Sequence, residues 1–156
     1  TLVIEAALIA GDVAPGLKRR YWGFLGWRGH DAAAWNALLD EARARAAAGL
    51  AKLEPKFFGH DADAQVLVHA RHNAQDAAIA GFVRLAPLPV TALAPVGGAA
   101  PGLVITNPPY GERLGASDDL VATYRAFGEA VRRACPGWRA AWITSDARLA
   151  RATGLE

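Results

Sequence analysis

Leu103-Val104-Ile105-Thr106-Asn107-Pro108-Pro109-Tyr110-Gly111 reads as a short buried strand that runs directly into a stiff turn. Downstream, Asp119 to Arg133 places Leu120, Tyr124, Phe127 and Val131 on one helical face, and Pro136-Gly137 ends that helix. Arg139 to Thr144 follows as a further strand, and Asp146 is placed to cap a last helical turn. Upstream, Lys56 to His60 is a short apolar strand ending at Asp61, after which Asp63 caps a helix running to about Ala77. Phe82 to Leu85 is a strand candidate, and the prolines and glycines from Pro87 to Gly102 make the next stretch a loop. Strands that alternate with helices predict an α/β fold with a parallel sheet covered on both faces.

The first third of the chain differs in kind. Thr1 to Ala10 is apolar nearly all round and ends at Gly11-Asp12, which predicts a buried helix. Val13 to His30 carries Pro15-Gly16, Gly23, Gly26 and Gly29 among aromatics and arginines, the mark of an ordered loop. Asp31 then caps a helix from Ala32 to Leu50, with Trp35, Leu38, Leu39, Ala42 and Ala46 at helical spacing. Within the loop, Lys18, Arg19, Arg20 and Arg28 interleave with Tyr21, Trp22, Trp27 and His30, as cations and rings do in binders of single-stranded RNA. A solvated basic loop whose rings are tucked into the core fits the same residues equally well.

Bulk composition narrows the class. With 156 residues and 53% hydrophobic content there is apolar material for one core, so one domain or part of one is expected. The formal charge is only +2, so a case for nucleic acid must rest on local clusters. The single cysteine, Cys135, cannot form an internal disulfide, and a reducing, cytoplasmic setting is expected. No apolar run approaches the roughly 20 residues a membrane span needs, and no basic-then-apolar leader opens the chain. Methionine is absent and the chain opens directly into a helix-like segment, so the native start is expected upstream and the chain reads as a piece of a longer protein.

Two strand ends carry polar groups where open α/β sheets bind ligands, beyond the carboxyl ends of the strands. Asp61 can accept hydrogen bonds from both hydroxyls of a ribose, or it can cap the following helix. Asn107-Pro108-Pro109-Tyr110 is more specific. Two prolines stiffen the chain, so that the Asn107 side-chain oxygen and the Pro108 carbonyl form a rigid acceptor pair for both protons of an NH2 group, with Tyr110 stacked on the base that bears it. The plain alternative is a proline-rich turn with Tyr110 filling the core. His30, His60, His69 and His72 share no metal-ligand spacing, and no metal is expected. Arg113 can meet an RNA phosphate or form a surface ion pair.

Asn-Pro-Pro-Tyr-Gly-Glu-Arg at 107–113 resembles the catalytic motif of the THUMP-containing ribosomal RNA large subunit methyltransferases, which act on the exocyclic N2 of a guanine in 23S rRNA. The similarity extends to Thr1–Ala7, which resembles the tail of that family's glycine-rich cofactor loop and its first helix. Gly59–Asp63 and Ala70–Ala74 resemble the ribose-binding strand and the helix after it, and the stretch from about 13 to 50 resembles a subgroup insertion. The resemblance implies a Rossmann-like class I fold with strand order 3-2-1-4-5-7-6 and S-adenosylmethionine as cofactor. It also implies Asn107, Pro108, Pro109 and Tyr110 as catalytic residues, with Asp61, Ala62 and Thr1 at the cofactor. Arg113, Arg19 and Arg20 would then face RNA, the partner being 23S rRNA or an assembly intermediate. By the same match the first strand with its glycine-rich loop is expected before Thr1 and a last hairpin after residue 156, so residues 1–156 are expected to be a partial catalytic domain that is inactive, and unfolded, molten or aggregating, alone. Ala86 to Ala94 holds no acid where the family places one near adenine. The motif is shared by methyltransferases of adenine in DNA and of glutamine amides in proteins, and a noncatalytic RNA-binding relic is the remaining alternative.

Overall fold

A computed structural model describes residues 1–54, 56–94, 101–109 and 117–155. The helices are α1 (Leu2–Ala10), α2 (Ala32–Lys52), α3 (Ala64–Asp76), α4 (Ser117–Ala134) and α5 (Ala147–Ala152). The strands are β1 (Phe57–Asp61), β2 (Val83–Pro87), β3 (Leu103–Thr106) and β4 (Arg139–Trp142). β1 pairs with β2 and β3 pairs with β4; among the described residues no ladder joins β1 to β3. Both observed pairs are neighbours in the order 3-2-1-4-5-7-6, β2 and β1 as its 3-2 pair and β3 and β4 as its 4-5 pair.

The chain forms two compact units, the first made of residues 1–59 and 65–85, the second of 60–64 and 86–156. In the first, α1 stops at Gly11, whose N–H donates to the Ala7 carbonyl at 2.9 Å. One side of α1, through Ile4 and Ala7, packs on Ala74, Ile79 and Val83, with Leu50, Phe57 and Leu85 around them. The helix is not buried all round as its composition predicts: Ile9 is 78% exposed. The apolar positions exceed what one packing face can cover, so the far side faces solvent. Asp31 caps α2 as expected, its Oδ1 accepting from the Ala34 N–H at 2.9 Å. Most of α2 is exposed, and Ala46 alone among its residues is fully buried. Its inner edge carries Gly49, where a methyl group would lie 2.1 Å from the Gly11 carbonyl oxygen. Arg45 holds Asp12 with two hydrogen bonds of 2.7 and 2.9 Å, which keeps that carboxyl below the usual aspartate range.

In the second unit, β3 and β4 are parallel, with Leu103 opposite Arg139 and Thr106 opposite Trp142. The face of α4 that sequence spacing predicts is the face that packs: Leu120, Tyr124, Phe127 and Val131 are all buried. Phe127 and Val131 cover Val104, Ala140 and Trp142, and the Phe127 and Trp142 rings meet edge to face with centroids 6.0 Å apart. Burying a side chain of this size contributes roughly 1.5–3 kcal/mol. α5, capped by Asp146 through the Arg148 N–H at 2.7 Å, adds Leu149 against Leu120 and Tyr124. β3 is not the wholly buried strand its composition suggests. Leu103 and Ile105 are 49% and 42% exposed, because alternate side chains point to opposite faces and only the face bearing Val104 is covered.

Candidate active site

Asn107-Pro108-Pro109 leaves β3 at its carboxyl end, just past the last ladder bond, from the Ile143 N–H to the Thr106 carbonyl at 3.3 Å. Asn107 and Pro109 are exposed and Pro108 is half-buried. Among the described residues, neither the Asn107 side chain nor the Pro108 carbonyl has a hydrogen-bond partner. Pro108 and Pro109 bring no N–H that could occupy those acceptors locally. Tyr110 and Arg113, the other motif residues singled out above, lie outside the described residues.

Asp61 is the last residue of β1 and is exposed. Its Oδ1 accepts from the Asp63 N–H at 2.9 Å, and its main-chain carbonyl accepts from the Leu88 N–H at 2.9 Å. The first bond tightens the turn that leads into α3; it does not cap that helix, because the Asp63 N–H lies before its first residue, Ala64. A carboxylate has about four acceptor sites, and Oδ2 has no partner among the described residues, so the same side chain fits a vicinal diol. Ala62 lies exposed in the bend between β1 and α3. Asp61, Ala62 and Asn107–Pro109 belong to the second unit; Thr1, Arg19 and Arg20 belong to the first. Thr1 is exposed, its carbonyl accepting the first helical bonds of α1 from Ile4 and Glu5 at 2.9 and 3.1 Å.

The stretch after β2, which lacks the acid expected near adenine, forms a short 3-10 turn at Val90–Ala92. Arg133 of α4 fixes it by donating to the Thr91 and Leu93 carbonyls at 2.8 and 3.1 Å. Sequence reading gave Arg133 no role, since its partners lie some 40 positions away. Beside Asp61, His60 is exposed overall, yet partial desolvation lowers its pKa from the ordinary value. Cys135 is buried, and burial raises its thiol pKa. Among the described residues no three His, Cys, Asp or Glu side chains converge on a metal position, and no helix is long and apolar enough to cross a membrane.

Solved structures similar to this chain include one described as "a putative methyltransferase" and one described as a predicted DNA methylase. SMU.472, solved in complex with SAH, matches with a TM-score of 0.79 and 26% identity over 99% of this chain and 39% of that one. A predicted N6-adenine-specific DNA methylase from Listeria monocytogenes matches with a TM-score of 0.81 and 29% identity over 98% of this chain and 38% of that one. The fold is therefore the Rossmann-like α/β fold of class I methyltransferases. The family model described as "RMKL-like, methyltransferase domain" matches residues 1–156, and the chain belongs to that family. Among curated relatives, the ribosomal RNA large subunit methyltransferase K/L of Methylococcus capsulatus is 46% identical over 99% of this chain and 21% of its own length. Its namesake from Shewanella oneidensis is 41% identical over 100% of this chain and 22% of its own length. The chain thus spans about a fifth of the length of these relatives.

Proposed function

We propose that residues 1–156 are part of the catalytic domain of an enzyme that methylates the exocyclic N2 of a guanine in 23S rRNA, with S-adenosylmethionine as cofactor. The observation that carries this reading is a pair of acceptors without a partner among the described residues, Asn107 Oδ1 and the Pro108 carbonyl, at the carboxyl end of β3 in a segment stiffened by two successive prolines. A guanine NH2 is a poor nucleophile because its lone pair is delocalised into the ring. Hydrogen bonds from both of its N–H groups to these acceptors return electron density to nitrogen as the new bond forms, and the one proton that methylation displaces then passes to water. Tyr110 stacks on the base and so fixes the direction of that lone pair. The cofactor supplies an electrophilic methyl group on sulfur. On this reading Asp61 holds its ribose hydroxyls through Oδ2, which has no partner among the described residues, Ala62 and Thr1 are further cofactor contacts, and Arg113, Arg19 and Arg20 contact the RNA.

The names and identities of the relatives support the choice of rRNA, and the stretch from 13 to 50 is the subgroup insertion on this reading. The decisive experiment supplies the intact gene product with undermethylated ribosomal RNA and isotope-labelled S-adenosylmethionine, then digests the RNA to nucleosides. Label in N2-methylguanosine is expected. Label in N6-methyladenosine, or in a glutamine of a protein substrate, would sink the guanine reading in favour of another planar amine.

A further inference from the structure

Residues 13–30 contain Lys18, Arg19, Arg20 and Arg28 and no aspartate or glutamate. The structure sorts the rings of this segment into two sets. Trp22 and Phe24 turn inward onto Trp35 of α2, edge to face, with centroid separations of 5.3 and 4.8 Å, and His30 joins Phe24 at 5.7 Å. A 3-10 turn at Gly23–Gly26 and successive bonds from Leu25 to Trp22, Trp27 to Phe24 and His30 to Trp27, each 3.0 Å, hold the backbone over this cluster. Two of the cations are used in the same way: Arg19 lies over the Trp22 ring at 5.2 Å, and Lys18 donates to the Asp76 carbonyl.

Tyr21 and Trp27 are left out of that cluster and are 69% and 72% exposed. Their immediate neighbours Arg20 and Arg28 are also exposed, and among the described residues neither arginine has a partner. A basic loop with its rings tucked into the core explains Trp22 and Phe24 but not Tyr21 and Trp27. Single exposed apolar side chains are ordinary; what distinguishes these two rings is that each lies next to an exposed arginine in a segment without acids. Alternating flat rings and unpaired guanidinium groups, with no acid among them, complement a polyanion that also offers flat apolar faces. An acidic peptide supplies the charge but not the faces; unstacked RNA supplies both.

We propose that Tyr21 and Trp27, each flanked by its arginine, form a platform for single-stranded bases of the RNA substrate. This rests on the reading of the substrate as RNA. The test uses the intact gene product without cofactor and a fluorescein-labelled single-stranded RNA of about 12 nucleotides, a length in the range such sites cover. By anisotropy, Tyr21→Ala and Trp27→Ala should each weaken binding by about 5- to 100-fold, while Trp27→Phe keeps most of the affinity. Arg20→Ala and Arg28→Ala should each lower the slope of log affinity against log salt by about 1. All four side chains are exposed within residues 1–156, and thermal melts that match the parent protein exclude misfolding as the cause. Affinities within twofold of the parent for both ring variants, with unchanged salt slopes, would overturn the platform. Because no turnover is measured, a product other than N2-methylguanosine would overturn the proposed reaction while leaving this binding result to be judged alone.

Discussion

Gly128 of α4 lies directly against the main chain at Thr153: a methyl group on Gly128 would sit 1.8 Å from the Thr153 carbonyl oxygen. That carbonyl is held in place, since Arg132 donates to it at 3.1 Å and to the Gly154 carbonyl at 2.9 Å, while the Thr153 hydroxyl donates to the Ala150 carbonyl at 2.8 Å. In an open helix, Gly→Ala is worth about 1 kcal/mol of added stability. Here the obstacle is backbone, which cannot rotate aside, and the sign reverses. Gly128→Ala should destabilise the protein by about 1–3 kcal/mol or more, the range for overpacking. Urea denaturation of the intact protein measures it, and a stabilised variant would show that α4 and the segment after α5 are not in this contact.

On the proposed reaction, Asn107→Ala removes one preorganised acceptor and leaves cofactor contacts alone. Turnover should fall by a factor on the order of 100, with cofactor affinity much less affected. Steady-state kinetics with titration calorimetry separates the two effects. Turnover within a few fold of the parent would remove Asn107 from the chemistry.

On the proposed reading Asp61 both holds the turn and binds the cofactor, two roles that different substitutions separate. Asp61→Asn keeps an oxygen for the Asp63 N–H, which the native Oδ1 accepts at 2.9 Å, but loses the charge. It should melt near the parent temperature while binding S-adenosylmethionine more weakly by about 1–3 kcal/mol. Asp61→Ala should show the same loss of affinity together with a lower Tm. Unchanged affinity in both would reduce Asp61 to a turn residue.

Partial desolvation lowers the pKa of His60 from its ordinary 6.5, although the residue as a whole is exposed. As pH falls the unfolded chain takes up this proton first, so the stabilising difference is complete above about pH 6.5 and declines as pH drops toward the lower folded value. His60→Asn should therefore flatten the dependence of Tm on pH in that window. An NMR titration placing the His60 midpoint at or above 6.5 would contradict the desolvation effect.

Local pattern decided a good deal by itself. The i, i+3, i+4 repeat of Leu120, Tyr124, Phe127 and Val131 gave the packed face of α4, because helical geometry alone puts those positions together. Asp31 and Asp146 marked helix starts because a cap needs only residues two or three positions away. Asn107-Pro108-Pro109 marked a strand end because proline removes the donors a ladder needs. Sequence did not decide how much of each apolar surface is covered: α1 and β3 have the composition of buried elements, yet Ile9, Leu103 and Ile105 face solvent. Nor did it separate the inward rings Trp22 and Phe24 from the outward Tyr21 and Trp27, or join Gly128 to Thr153, Arg133 to Thr91 and Leu88 to Asp61. Periodicity describes which side of an element a residue occupies, whereas burial and long-range hydrogen bonds depend on what the rest of the chain brings to that side. Only the tertiary structure holds that information.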